Sequence, residues 1–437
     1  MKTTKIKYII VLTLLTFITI LNSAEIERYT LPSMNGVTLF VLKGVNTTKQ
    51  ITVKGDELDL NVIGLEKPKF ELYTSMEDNE LAKLNQRTFK DISEKIEKKL
   101  NSSIKLNEND NEFMKEIRAM LQEFDMVKKE FKVVMSLEDP SKVEQNKKDK
   151  FKDITVEKKG NELIIDLKKV KNSLLLVPQD ISLVLDIKKG NLNLQNTNGE
   201  IVINGMQLET SITNVSAVIN YKNKSGDIFI SDYEGVANMK TLQGDINIIN
   251  SSGKLNFNSA AGDININKFI GDIDINIQVG DIQIMNSDDM SLNLNNKSGD
   301  FLLKNNKAKN VEINSASSDI AIFDMIAKNI KISNLSGDIL LNAVKSDIDL
   351  ELNSGDLMLK NFEPLFKKDS KIKVNFGDVD IELKDPNIFK YFQSVNENEL
   401  NFDKSIKLNK DLKICTKDKK CIVISLNYGQ ISVEKIK

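Results

Sequence analysis

Histidine and tryptophan are absent from this 437-residue sequence, cysteine occurs twice, and arginine stops at Arg118. Each absence excludes some chemistry. Without His there is no imidazole general base, no Ser-His pair and no supply of the commonest zinc ligand. The two Cys cannot make a metal site alone, and their spacing is not that of a redox C-x-x-C motif. A formal net charge of −2 with no basic cluster argues against a nucleic-acid partner. Catalysis by carboxylates or Lys stays open, but nothing in the chain groups such residues into a site, so the expectation is a protein that is not an enzyme and carries no cofactor.

Long apolar runs are also scarce. "YIIVLTLLTFITIL" (8–21) follows Lys2, Lys5 and Lys7 and precedes the small residues "NSA". At 14 residues it is short for a membrane span. The pattern predicts a signal peptide over 1–24, with an uncleaved anchor as the alternative, and no Cys follows to accept a lipid. The expectation is an exported chain in the periplasm, at the cell surface or outside the cell. It would have no integral membrane segment after signal cleavage.

What the chain has in quantity is a rule. In "KTLQGDINIINSSGKLNFNSAAGDININKFIGDIDINIQVGDIQI" (240–284), Gly244, Gly253, Gly262, Gly271 and Gly280 fall nine residues apart. Each is followed by a polar residue and then an apolar, polar, apolar triplet. With Gly as position zero, apolar residues sit at plus two and plus four: Leu192 and Leu194 after Gly190, Ile228 and Ile230 after Gly226, Ile339 and Leu341 after Gly337. The register runs from Gly190 to Gly355, passing through degenerate units at Thr210/Ile212, Ile219/Tyr221 and Ala237/Met239. From Gly280 the steps alternate ten and nine, through Met290, Gly299, Lys309, Ser318, Lys328 and Gly337. Alternation makes the unit two half-repeats, about 18–19 residues, with one turn that accepts an extra residue and does not need Gly.

Alternating side chains in a strand share a face, so plus two and plus four line one interior. No single strand buries that row; coils stacked in parallel do. The fold class expected is mainly β: a parallel β-solenoid of flattened, two-faced coils. Gly226, Gly244, Gly262, Gly271, Gly280, Gly299, Gly337 and Gly355 are its expected structural turns, because Gly accepts positive φ without a Cβ clash.

The Asp residues after these glycines (Asp227, Asp245, Asp263, Asp272, Asp281, Asp300, Asp338, Asp356) should stack along the edges. Turn chemistry accounts for them. Calcium is the alternative, with Asp245, Asp263 and Asp281 as candidate ligands. The single glycines depart from the G-G-x-G-x-D calcium repeat.

Outside the repeat, 25–70 reads as short strands, including "ITVKGDELDLNVIG" (51–64). Apolar residues at helical spacing predict an α-helical hairpin at about 78–132, inserted in an N-terminal β region of 25–152. Its stripes are core by expectation, or else a partner-binding face. Residues 153–383 form the repeat domain and 384–437 a C-terminal cap. Within the cap, Cys415 and Cys421 are flanked by strand-like sequence and are expected to close a hairpin by a disulfide, as an exported chain permits.

The stretch "LLLVPQDISLVLDIKKGNLNLQNTNGEIVI" (174–203), running into "SGDIFI", "QGDINI", "AGDINI" and "SGDLML", resembles a bacterial family of unknown function described as adhesins with β-strand repeats. The resemblance spans about 153–383 and implies an exported, non-enzymatic β-solenoid; it does not reach the helical segment or the Cys-containing tail. The functional expectation is an adhesin-like envelope scaffold that presents a binding surface to a protein or glycan, with an envelope partner for anchoring. The alternatives are a periplasmic structural or stress-associated protein with no external ligand and, more remotely, a polysaccharide-active β-helix enzyme. That last chemistry needs an Arg or Lys base beside clustered acids, and the repeats contain no Arg.

Overall fold

A computed structural model describes residues 25–30, 37–43, 48–65, 71–75, 154–159, 161–167, 170–383, 392–393, 412–415, 420–429 and 431–435. The expected signal peptide at 1–24 and the expected helical hairpin at 78–132 lie outside these residues. All regular structure among the described residues is β. The chain divides into two compact units, Met1–Phe229 and Ile230–Lys437.

The second unit shows the repeat rule in its plainest form. Strand Ile246–Ala261 pairs in parallel with Ile264–Val279, Ile246 facing Ile264 and Leu255 facing Ile273. The next coils follow in the same way through Asp288–Ser298, Lys307–Ser317, Ile326–Ser336 and Lys345–Ser354. This is a parallel β-solenoid. The plus-two and plus-four side chains are its core: Ile246, Ile248, Leu255, Phe257, Ile264, Ile266, Ile273 and Ile275 are all buried.

Each coil has more corners than the two the spacing suggests. In the coil that starts at Gly244 the backbone turns at Gly244 (φ 133°), again at Asn250 (φ 52°), and again at Gly253 (φ 118°). The middle corner recurs once per coil as Asp232, Asn250, Lys268, Asn286, Asn305, Asp324, Ala343 and Asn361, all with φ between 49° and 59°. Asn and Asp fill most of the column because their short polar side chains tolerate the left-handed region. The two half-repeats are therefore not equivalent.

The extra residue of the ten-residue steps enters at the third corner. The register between Ile264–Val279 and Asp288–Ser298 breaks between Ile270 and Asp272. It breaks again between Met290 and Ser291 and between Ile326 and Asn329. A β-bulge absorbs one residue at the cost of local pairing, and no left-handed Gly is needed there. The later interruption "NFEPLF" is anchored differently. Asp347, fully buried, accepts the backbone N–H groups of Lys367 and Lys368 through Oδ2 at 2.9 and 3.1 Å.

Corners break the strand ladder and leave backbone groups to satisfy. Buried polar side chains do this. Ser287 Oγ accepts the Phe269 N–H at 3.0 Å and donates to the Met285 carbonyl at 2.8 Å. Asn296 and Asn334 donate Nδ2 to the carbonyls of Gly280 and Ser318, both at 2.8 Å. The unit's last described coil returns after a long detour in sequence: Cys421–Tyr428 stacks on Ser370–Phe376, and Ile431–Lys435 on Val379–Leu383.

The first unit repeats this scheme, with Ser182–Gln195 paired in parallel to Glu200–Lys222. It also holds a coil that sequence order conceals. Strand Gln50–Glu57 lies between Glu162–Leu167 and Ser182–Gln195, parallel to both. Asp59–Leu65 lies between Asn172–Pro178 and the second half of Ser182–Gln195. Residues 50–65 are thus a complete coil interposed between two others that are near neighbours in sequence. Ile51, Val53, Leu58, Leu60 and Val62 are at most 1% exposed. Antiparallel strands finish this end: Glu71–Ser75, Val37–Lys43 and Glu25–Thr30 build outward from Asn172–Pro178, and Ile154–Lys159 covers Glu162–Leu167. An antiparallel flank closes an edge that a stacked parallel strand would leave open to another chain.

Candidate functional site

The aspartate row is a continuous ladder of caps. Asp245 Oδ1 accepts the backbone N–H of Asp263 at 2.8 Å, and Asp263 Oδ1 accepts that of Asp281 at 2.9 Å. The chain of bonds continues through Asp300, Asp319, Asp338, Asp356 and Asp378. Each carboxylate ties the turn of one coil to the next. Asp272 follows the third-corner Gly271 and stands outside this row. Among the described residues, no group of three or more acidic or sulfur ligands converges as a metal site. Asp281→Ala should lower the urea midpoint by the equivalent of about 1 kcal/mol, because the Asp300 amide loses its acceptor. Asp281→Asn should be close to neutral, since an amide oxygen accepts the same bond and a like charge is removed. Equal losses in the two variants would assign the effect to charge rather than to capping.

In the first unit Asp59 plays the same part for the interposed coil. Its Oδ1 accepts from the Asn191 backbone N–H at 2.9 Å and from Asn191 Nδ2 at 2.7 Å. Glu209 takes the following position. Partial desolvation of the carboxyl, and then the charges of Asp227 and Asp59, raise its pKa above the usual glutamate value. The degenerate unit nearby is held by a buried polar cluster. Tyr221 Oη and Thr210 Oγ1 are 3.0 Å apart, and Asn223 Nδ2 donates to Tyr221 Oη at 3.0 Å and to the Leu208 carbonyl at 2.8 Å. Burial pushes the Tyr221 phenol up to about 12. These groups are buried and satisfy one another in the interior.

The feature with the surroundings of a binding surface is the outer face of the long strands in the second unit. Two shallow depressions lie on it, of about 500 and 360 Å³, and both are bordered by Asn258, Asn276 and Asn295. Amides pair from coil to coil along this face: Asn256 donates to Asn238 at 2.7 Å and Asn314 to Asn295 at 3.0 Å, and Asn293 donates to the Asp274 carboxylate at 3.0 Å. Amides spaced one strand apart, about 4.8 Å, offer donors and acceptors of no net charge. Such a surface can hold a polar ligand by hydrogen bonds. Lys331 and Glu312 form an exposed ion pair at 2.8 Å in neighbouring coils, and the Lys331 contact holds the Glu312 carboxyl below its ordinary value. A second surface feature lies near the carboxyl end, where the rings of Phe376 and Tyr428 stack with centroids 5.1 Å apart and stand more than half exposed.

Sequence reading placed the glycine turns and the aspartate row but missed the amide face and the left-handed Asn corner. Both leave a signal. The corner recurs six residues after every second turn position, from Gly226 through Ser318 to Gly355, and Asn alternates with apolar residues in "LNFNS" and "LNLNN". The backbone positions of Cys415 and Cys421 face each other across the antiparallel pair Leu412–Cys415 and Cys421–Tyr428.

A family model described as Toastrack DUF4097 matches this chain twice, over residues 129–303 and 268–434. Two overlapping matches are what a self-similar repeat produces. No curated protein and no solved structure matches the chain.

Proposed function

The chain belongs to the Toastrack DUF4097 family, and on that premise we propose that it is an exported, non-enzymatic scaffold of the cell envelope whose outer amide face binds a protein or glycan ligand in the manner of an adhesin. The observation that carries this reading is the pair of depressions bordered by Asn258, Asn276 and Asn295, a polar surface whose asparagines repeat from coil to coil beside Lys240, Asp274 and Lys297. The fold and the family fit a repeat scaffold. The basic start and apolar run of 1–24 support export.

Protease treatment of intact cells, with a periplasmic protein as control, tests the location. The expected result is cleavage of this chain while the control survives. Protection until the outer layer is broken would replace the adhesin reading with a periplasmic structural one. Recovery with the cytoplasmic fraction, N-terminal segment intact, would overturn export altogether.

A disulfide between Cys415 and Cys421 belongs to the same proposal. Alkylating the purified protein before reduction should leave both cysteines unmodified, and peptide mapping should recover them as one linked species. Labelling of both thiols in the unreduced chain would remove this part.

A further inference from the structure

The coil of residues 50–65 is joined to the coils on either side of it only through distant chain. We propose that this coil is exchangeable, and that the slot between Glu162–Pro178 and Ser182–Gln195 takes the 50–65 segment of a second copy of the same chain. The partner is thus another copy, and the surface is the pair of parallel strand edges that line the slot.

Three observations carry this. First, the coil is held by contacts that are the same in cis and in trans. Its strands pair on both sides, five of its apolar side chains are buried, and Thr52 Oγ1 donates to Glu162 Oε1 at 2.6 Å. None of these depends on which chain supplies the segment. Second, the coils on either side are already in register with each other. Gln50 faces Glu162 on one side and Ser182 on the other, and Leu60 faces Ser173 and Leu192. Taken through the interposed coil, Glu162 aligns with Ser182 and Ser173 with Leu192, steps of 20 and 19 residues, close to one coil. The flanking coils can therefore close on one another when the segment leaves, which lowers the cost of opening the slot. Third, both edges of Asn172–Pro178 are covered from the same stretch of chain. Asp59–Leu65 pairs with one edge and Glu71–Ser75 with the other, and Glu71–Ser75 carries Val37–Lys43 and Glu25–Thr30 with it, so exchange of residues 25–75 would bring both partners of that strand from one chain. Exchange of an identical element leaves the bonding unchanged and makes the outcome a matter of concentration and connection length.

Lys54 and Asp186 are partners across the ladder, which supplies the test. In the full chain carrying Cys415→Ser and Cys421→Ser, the double variant Lys54→Cys/Asp186→Cys should cross-link internally on oxidation. Two differently tagged chains, one with Lys54→Cys and the other with Asp186→Cys, are then unfolded together, refolded and oxidised. The expected result is a covalent heterodimer whose yield rises with protein concentration. An internal cross-link in the double variant, with no heterodimer at any concentration, would overturn exchange. Failure of the internal cross-link would overturn the interposed coil itself, and the proposal with it.

Discussion

Gly262→Ala should cost the second unit about 3 kcal/mol or more, read as a fall in its urea midpoint, while Asn250→Ala costs about 1 kcal/mol. Both residues sit at corners with positive φ, but the corners differ. Gly262 has φ 129°, and a Cβ there would stand 2.1 Å from the Gly244 carbonyl oxygen and 2.7 Å from its carbon. The obstacle is backbone in the neighbouring coil, so no rotamer change relieves it. Gly271 and Gly253 stand in the same relation, with 2.0 Å between the added Cβ and the facing oxygen. Asn250 occupies the left-handed corner, and Ala343 already sits in that column with φ 55°. Alanine at this corner therefore loses a side-chain hydrogen bond and some conformational preference, without a collision. Ser318 shows what another residue does in the glycine column. It is not among the positive-φ residues, and its hydroxyl shares a hydrogen bond with Ser315. Equal losses for Gly262→Ala and Asn250→Ala would mean that close stacking of coils does not select glycine here.

Leu60→Ala should destabilise the first unit by about 2–5 kcal/mol, as much as Leu192→Ala in the adjoining coil. Leu60 is 1% exposed, faces Ser173 on one side and Leu192 on the other, and belongs to the coil that fills the slot. Its removal leaves a cavity that backbone pairing on both sides keeps from collapsing, and an unfilled cavity adds to the lost transfer energy. A strand lying outside the solenoid, as sequence order suggests for 51–64, would lose far less. The discriminating readout is thermal or urea unfolding of both variants in parallel. A Leu60→Ala cost well below that of Leu192→Ala would remove residues 50–65 from the core.

The two variants divide what each level of description supplies. The core of the repeat was legible because it follows a short-period rule. Every apolar pair named at plus two and plus four is buried, including the degenerate pairs Thr210/Ile212, Ile219/Tyr221 and Ala237/Met239. The ten-nine alternation was legible as well, and the bulges at Ile270/Asp272 and Met290/Ser291 are its structural form. The aspartate row was seen as a row, although its bonding partner, the next aspartate's own amide, was not.

Local sequence determined the parallel β-coil, its period and its buried face, because side-chain alternation and glycine turns are properties of a few consecutive residues. Two things needed the tertiary structure: the insertion of residues 50–65 between coils made from 162–195, and the amide surface on the outer face. The physical reason is common to both. "LDLNV" at 58–62 obeys the coil rule with Leu58 where a glycine would stand, but its neighbours lie more than a hundred residues away in sequence. The amides of Asn256 and Asn238 become one surface only when coils stack. Contacts between coils are long-range, and pairing in a parallel ladder depends on which edges meet in space, which a periodic sequence leaves open among many equal registers.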